Sequence, residues 1–123
     1  MSEPLDPTMF HECENVPVPV RVGDKWTAKI LVCLKDDKRR FSELQVPLQG
    51  VTPKVLTESL RAMERDGFVV RHAYPEVPPR VEYEITDLGR TLLELMETTC
   101  NWTAAHLTEL LQARQAYQER TAS

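Results

Sequence analysis

Three places in this chain carry side chains whose type and spacing suit chemistry. The first is Thr52-Pro53-Lys54-Val55-Leu56-Thr57-Glu58-Ser59-Leu60-Arg61, where hydroxyl, ammonium and guanidinium groups alternate with apolar ones. Such groups donate hydrogen bonds to phosphate oxygens and base edges. The second is Cys13, two residues after His11 and flanked by Glu12 and Glu14. A charged imidazole nearby would favour the reactive thiolate, and the two acids would oppose it. The third is Arg80, directly behind Pro78 and Pro79. It suits a phosphate or a narrow minor groove, or an ion pair with Glu82 or Glu84. Catalysis finds no such support. Cys13 has no paired general base, oxyanion donor or cofactor loop, and His72 and His106 have no partners at metal-ligand spacing. The expectation is therefore no enzyme, no metal and no cofactor.

The elements that must position these groups follow from local signals. Thr52 before Pro53 starts a helix: the hydroxyl can accept an orphan amide, and proline lacks the proton that a first turn cannot bond. Gly67 stops it. Leu56, Leu60 and Met63 form the buried stripe at i, i+4 and i+7, which leaves Pro53, Lys54, Thr57, Glu58, Arg61 and Arg65 outward. Upstream, Ser42 and Gln45 match a capping box, with Phe41 and Val46 as a hydrophobic staple, so a short helix is expected over Ser42 to Leu48. Its connection through Gln49-Gly50-Val51 makes a helix-turn-helix. An earlier helix is expected from Asp24 as cap, with Trp26, Ile30, Cys33 and Leu34 on its buried face and Lys25, Lys29 and Lys35 outside. Between these helices, Asp36-Asp37-Lys38-Arg39-Arg40 is a charged turn, readable as a solvated loop or as a source of cations.

Phe68 to Tyr74 and Val81 to Ile85 are β-rich, the second alternating Val81, Tyr83 and Ile85 against Glu82 and Glu84. Three prolines in the connector predict a hairpin with a rigid, projecting tip. Thr86 then caps a long helix with Asp87 in its first turn. Its apolar positions Leu92, Leu95, Met96, Trp102 and Leu110 exceed what so small a core needs, so they are expected at an interface with a second copy of the chain. Cys100 is expected in that interface or in the core.

The totals bound these readings. The 123 residues suffice for one domain with a modest core. The absence of a long apolar run or a basic signal peptide predicts a cytoplasmic protein without a membrane partner. Three scattered cysteines argue against a disulfide framework. Net charge is −4, unevenly spread. From Lys25 to Arg90 there are twelve basic and ten acidic residues, hence +2; the remainder has three and nine, hence −6. Basic charge is thus concentrated in the middle of the chain, and a local patch rather than the total sets attraction to phosphate.

Several motifs together resemble the HxlR family of bacterial winged-helix regulators, a branch close to MarR-type proteins. They are Cys13 followed by Gly23-Asp24-Lys25-Trp26, then Arg39-Arg40-Phe41-Ser42-Glu43-Leu44, Pro53-Lys54-Val55-Leu56-Thr57 with Leu60-Arg61, and Asp66-Gly67. The most specific is Tyr74-Pro75-Glu76-Val77-Pro78-Pro79-Arg80-Val81-Glu82-Tyr83, followed by Leu88-Gly89. The likeness runs from Cys13 to about Trp102. Val16-Pro17-Val18-Pro19-Val20 departs from it, because the family usually has an uninterrupted helix there. The resemblance implies an α+β, mainly helical winged helix-turn-helix with extra N- and C-terminal dimerisation helices. Its domain is taken as 13–118, with the prolines and acids of 1–12 predicting a flexible segment and the chain end a frayed tail over 119–123. The resemblance also implies a homodimer on double-stranded DNA at a near-palindromic operator. The expected DNA contacts are Arg39, Arg40, Thr52, Pro53, Lys54, Thr57, Arg61 and Arg80. Cys13 is the candidate sensor of an oxidant or small-molecule effector, or else an interface cysteine. The competing readings are a winged-helix protein-interaction module, which Glu58 on the exposed face permits, and a regulator answering a non-covalent ligand.

Overall fold

The computed structural model describes residues 3–10 and 25–122. Cys13, His11, Asp24 and the Pro17 to Pro19 stretch lie outside them, as does the expected N-terminal dimerisation helix. The described elements, in chain order, are α1 (Thr27–Leu34), β1 (Arg39–Arg40), α2 (Phe41–Gln45), α3 (Pro53–Arg65), β2 (Val69–Tyr74), β3 (Arg80–Ile85) and α4 (Asp87–Ala122). Helices predominate over a small antiparallel sheet of order β1-β3-β2, the α+β winged-helix arrangement.

Helix α3 forms as its sequence predicts. The Thr52 hydroxyl accepts the Val55 amide at 3.1 Å, with Pro53 in the first turn. At the other end Gly67 takes a φ of +83° and the Phe68 amide reaches back to the Met63 carbonyl at 2.9 Å. That left-handed close satisfies a carbonyl the last turn would leave open. Leu56, Leu60 and Met63 are buried, each worth roughly 1.5–3 kcal/mol. Ser59 is buried with them.

Two helix boundaries differ from expectation. α1 begins at Thr27 with the buried Trp26 at its N-cap and no side-chain cap bond. α2 ends at Gln45 instead of Leu48. Pro47 offers no amide to a further turn. Its N-cap is Arg40, in extended conformation, and the Glu43 carboxylate accepts the Arg40 amide at 3.0 Å. Glu43 therefore takes the role expected of Gln45. Val46 stays exposed, so it supplies no staple.

The hairpin pairs Val69 with Ile85 at its base and Tyr74 with Arg80 near its tip. Of the three β3 residues expected inward, only Ile85 is fully buried; Val81 and Tyr83 are half-covered, because the projecting ribbon has little above it. A clasp joins this base to α3 and α4. The Thr86 hydroxyl donates to the Gly67 carbonyl at 2.6 Å and accepts the Gly89 amide at 3.0 Å. Gly89 is packed so closely that a Cβ there would collide with the Phe68 carbonyl oxygen and crowd the Ile85 side chain.

Residues 3–10 lie on the domain, whereas segment 1–12 was expected to be mobile. Phe10 is in the core, with Leu5 and Met9 packed against it. The Gln49 side-chain amide donates to the Pro7 carbonyl at 2.9 Å. α4 continues through Ala122, past the expected fraying point, for about 54 Å at the helical rise. No helix among the described residues is long and apolar enough to cross a membrane.

Candidate nucleic-acid interface

The outward face of α3 presents Pro53, Lys54, Glu58 and Arg61 as exposed side chains, with Thr57 half-exposed. The Thr57 hydroxyl donates to the Pro53 carbonyl at 2.7 Å. That bond fixes the hydroxyl while leaving its acceptor capacity outward. Thr52 is exposed but spends its oxygen on the helix cap. Lys54 and Arg61 enter none of the ion pairs among the described residues. Val55 is also exposed, an apolar group beside these cations that periodicity alone did not single out. A thymine methyl is the apolar group that a major groove offers such a side chain.

The two arginines before α2 part company. Arg40 is exposed, opposite Glu82 in the β1–β3 register. Arg39 is buried: Nη1 donates to the Glu3 carbonyl at 3.0 Å and stands 3.6 Å from the Glu43 carboxylate. Its guanidinium faces its own domain, so of the expected pair the structure leaves only Arg40 open to a phosphate.

Arg80 stands at the start of β3, where both acids near it hold its guanidinium. Nη2 is 3.0 Å from Glu76 and Nε 3.4 Å from Glu82, and the group stacks on the Tyr74 ring at 4.1 Å. Glu76, in the connector, was not among the partners the sequence suggested. Two further cations accompany it. Arg71 is exposed on β2. The Lys38 ammonium is shifted above its ordinary pKa, first by its hydrogen bond to Tyr74 and further by the charges of Glu82 and Glu84. His72 is 2.9 Å from Glu84 across the hairpin. No metal-holding cluster occurs among the described residues.

On α4 the expected interface residues divide into two sets. Leu92 is buried in the core and Met96 packs against it. Leu95 is 55% exposed and Trp102 49%, whereas Leu110 is half-buried. Leu88 adds a third exposed apolar side chain seven residues before Leu95, on the same line as Trp102. Cys100 is exposed, contrary to a core position. Cys33 is 1% exposed, and burial pushes its thiol up to about 12.

A family model described as HxlR-like helix-turn-helix matches residues 21–110. The chain is 41% identical over 103 residues to the uncharacterised HTH-type transcriptional regulator YtfH of Escherichia coli, spanning 84% of this chain and 82% of that protein. Among solved structures, a transcriptional regulator ytfH from Salmonella typhimurium superposes with a TM-score of 0.65 at 40% identity, covering 75% of this chain and 82% of the other. The redox regulator HypR in its reduced form superposes with a TM-score of 0.67 at 35% identity, covering 74% and 90%.

Proposed function

This chain belongs to the HxlR-like helix-turn-helix family of transcriptional regulators, and from that premise we propose that it is a homodimer that binds double-stranded DNA sequence-specifically. It does so in the cytoplasm and without catalysis. The observation that carries this reading is the outward face of α3, where Lys54 and Arg61 stand exposed and outside any ion pair among the described residues. The capped first turn and the Gly67 close hold that face rigid at both ends. A helix presented in this way fits the major groove, with Arg40, Thr52, Pro53 and Thr57 along its approach and the hairpin reaching the flanking backbone through Arg80.

Dimerisation places two such helices about 34 Å apart, one turn of DNA, on a near-palindromic operator. Leu95 and Trp102, exposed on the single chain, supply an apolar contact for it, with Leu110 half-covered further along the same helix. Oxidants or electrophiles switch the regulator through Cys13. The similarity to HypR, a redox regulator, supports this, as does the burial of Cys33, which removes that thiol from competition.

The test is protection of DNA upstream of the chain's own and neighbouring genes, with affinity measured against salt. A sequence-specific site and a steep fall of log affinity with log salt are expected. No measurable binding to any duplex, even at low salt, would point to a protein-interaction module.

A further inference from the structure

One side chain on the outward stripe of α3 is not accounted for by attraction to phosphate. Lys54, Glu58, Arg61 and Arg65 recur at i, i+4, i+7 and i+11, on the line opposite Leu56, Leu60 and Met63, and all four are exposed. Glu58 stands in the middle of this basic stripe. Its helical neighbours Lys54 and Arg61 form no ion pair with it, and Arg65 pairs instead with Asp66 at 3.1 Å. A lysine four residues before a glutamate is the weaker orientation for such a pair. The carboxylate thus reaches the surface with its acceptor capacity unused.

The consequence rests on α3 entering the major groove. A carboxylate there is repelled by the phosphates on both walls, and a specific hydrogen bond to a base edge would offset that repulsion. Ionised, it can only accept. Guanine and thymine offer acceptors on their major-groove edges, and only the cytosine N4 and adenine N6 amino groups donate. Beside the adenine amine lies N7, an acceptor that repels the second carboxylate oxygen. Cytosine has no such neighbour on its own edge. We propose that Glu58 is a specificity-determining residue that selects a cytosine at one position of each operator half-site through its N4 amino group.

Selection from a randomised duplex pool with full-length wild type, Glu58→Gln and Glu58→Ala tests this. The side chain is exposed, so both variants should keep the wild-type melting temperature. Wild type should recover a cytosine at one position per half-site, and changing it should lower affinity about five- to a hundredfold. Glu58→Gln should move the preference at that position to adenine, whose N6 and N7 a carboxamide pairs with bidentately. Glu58→Ala should erase the preference there and leave neighbouring positions intact. If both variants select the wild-type motif at every position, Glu58 is a solvated charge and the proposal fails. If wild type itself selects no motif, the assignment of α3 to DNA fails first, and the cytosine contact with it.

Discussion

The Arg39 guanidinium donates to the Glu3 carbonyl oxygen at 3.0 Å, joining residues 36 positions apart in the chain. With the Glu43 carboxylate 3.6 Å from the same Nη1, Arg39 ties the N-terminal segment to the first helix of the helix-turn-helix. Arg39→Ala should therefore lower stability by about 1–3 kcal/mol, since a buried charge-assisted hydrogen bond is lost. Arg40→Ala should leave stability unchanged and weaken DNA binding. Urea denaturation and operator titration of the two variants measure the contrast, and equal effects from both would contradict the placement of Arg39.

On α3, Arg61 is open to a ligand. Arg61→Ala should weaken operator binding by about 1–3 kcal/mol and relax the base preference at one position if it reads a base. A uniform loss across all duplexes would mark a phosphate contact. Unchanged affinity for every duplex would remove Arg61 from the interface.

The wing gives a paired prediction, because Glu76 and Glu82 hold Arg80. Arg80→Ala should lower affinity and flatten the salt dependence by roughly one unit of slope. Glu76→Gln should act the other way and raise affinity, since one competing carboxylate is neutralised. If the slope in Arg80→Ala equals that of wild type, the arginine serves only to hold the hairpin tip.

Sedimentation of the full chain should show a dimer. Replacing Leu95 and Trp102 together by glutamate should yield a folded monomer, because both side chains lie outside the core of the single chain. Leu92→Glu should instead unfold the domain, as Leu92 belongs to that core. Truncation after Thr98 should likewise dissociate or aggregate the protein. A monomer for wild type at micromolar concentration would contradict the assembly.

The three cysteines should differ in their thiol chemistry. Diamide should change operator affinity in wild type and not in Cys13→Ser, while Cys33→Ser and Cys100→Ser keep the response. A response that survives in Cys13→Ser would clear that residue of the role. Cys33 has its own pH signature, since its folded thiol titrates near 12 and the unfolded thiol near its ordinary value. The unfolded chain then releases the proton first. The stabilisation is complete below about pH 9 and is lost toward pH 12, at up to about 1.4 kcal/mol per pH unit. Wild type should lose stability over that window more steeply than Cys33→Ala, as chemical denaturation at stepped pH would show.

What the sequence determined by itself was whatever depends on neighbours within a few residues. The Thr52 cap, Pro53 in the first turn, the Gly67 close and the Leu56, Leu60, Met63 stripe made α3 legible, as the proline-stiffened connector made the hairpin legible. Each is a local constraint on backbone angles or on one helical face, so no knowledge of the rest of the chain was needed. Only the tertiary structure decided the fates of like residues placed side by side. Arg39 is buried and Arg40 exposed because β1 alternates sides, and that alternation has a direction only once β1 pairs with β3. Leu92 is core and Leu95 surface because α1 meets one side of α4 near its start. Gly89 looked like any helical glycine until the Phe68 carbonyl closed over it. These outcomes depend on contacts between segments far apart in the chain, which periodicity along a single segment does not encode.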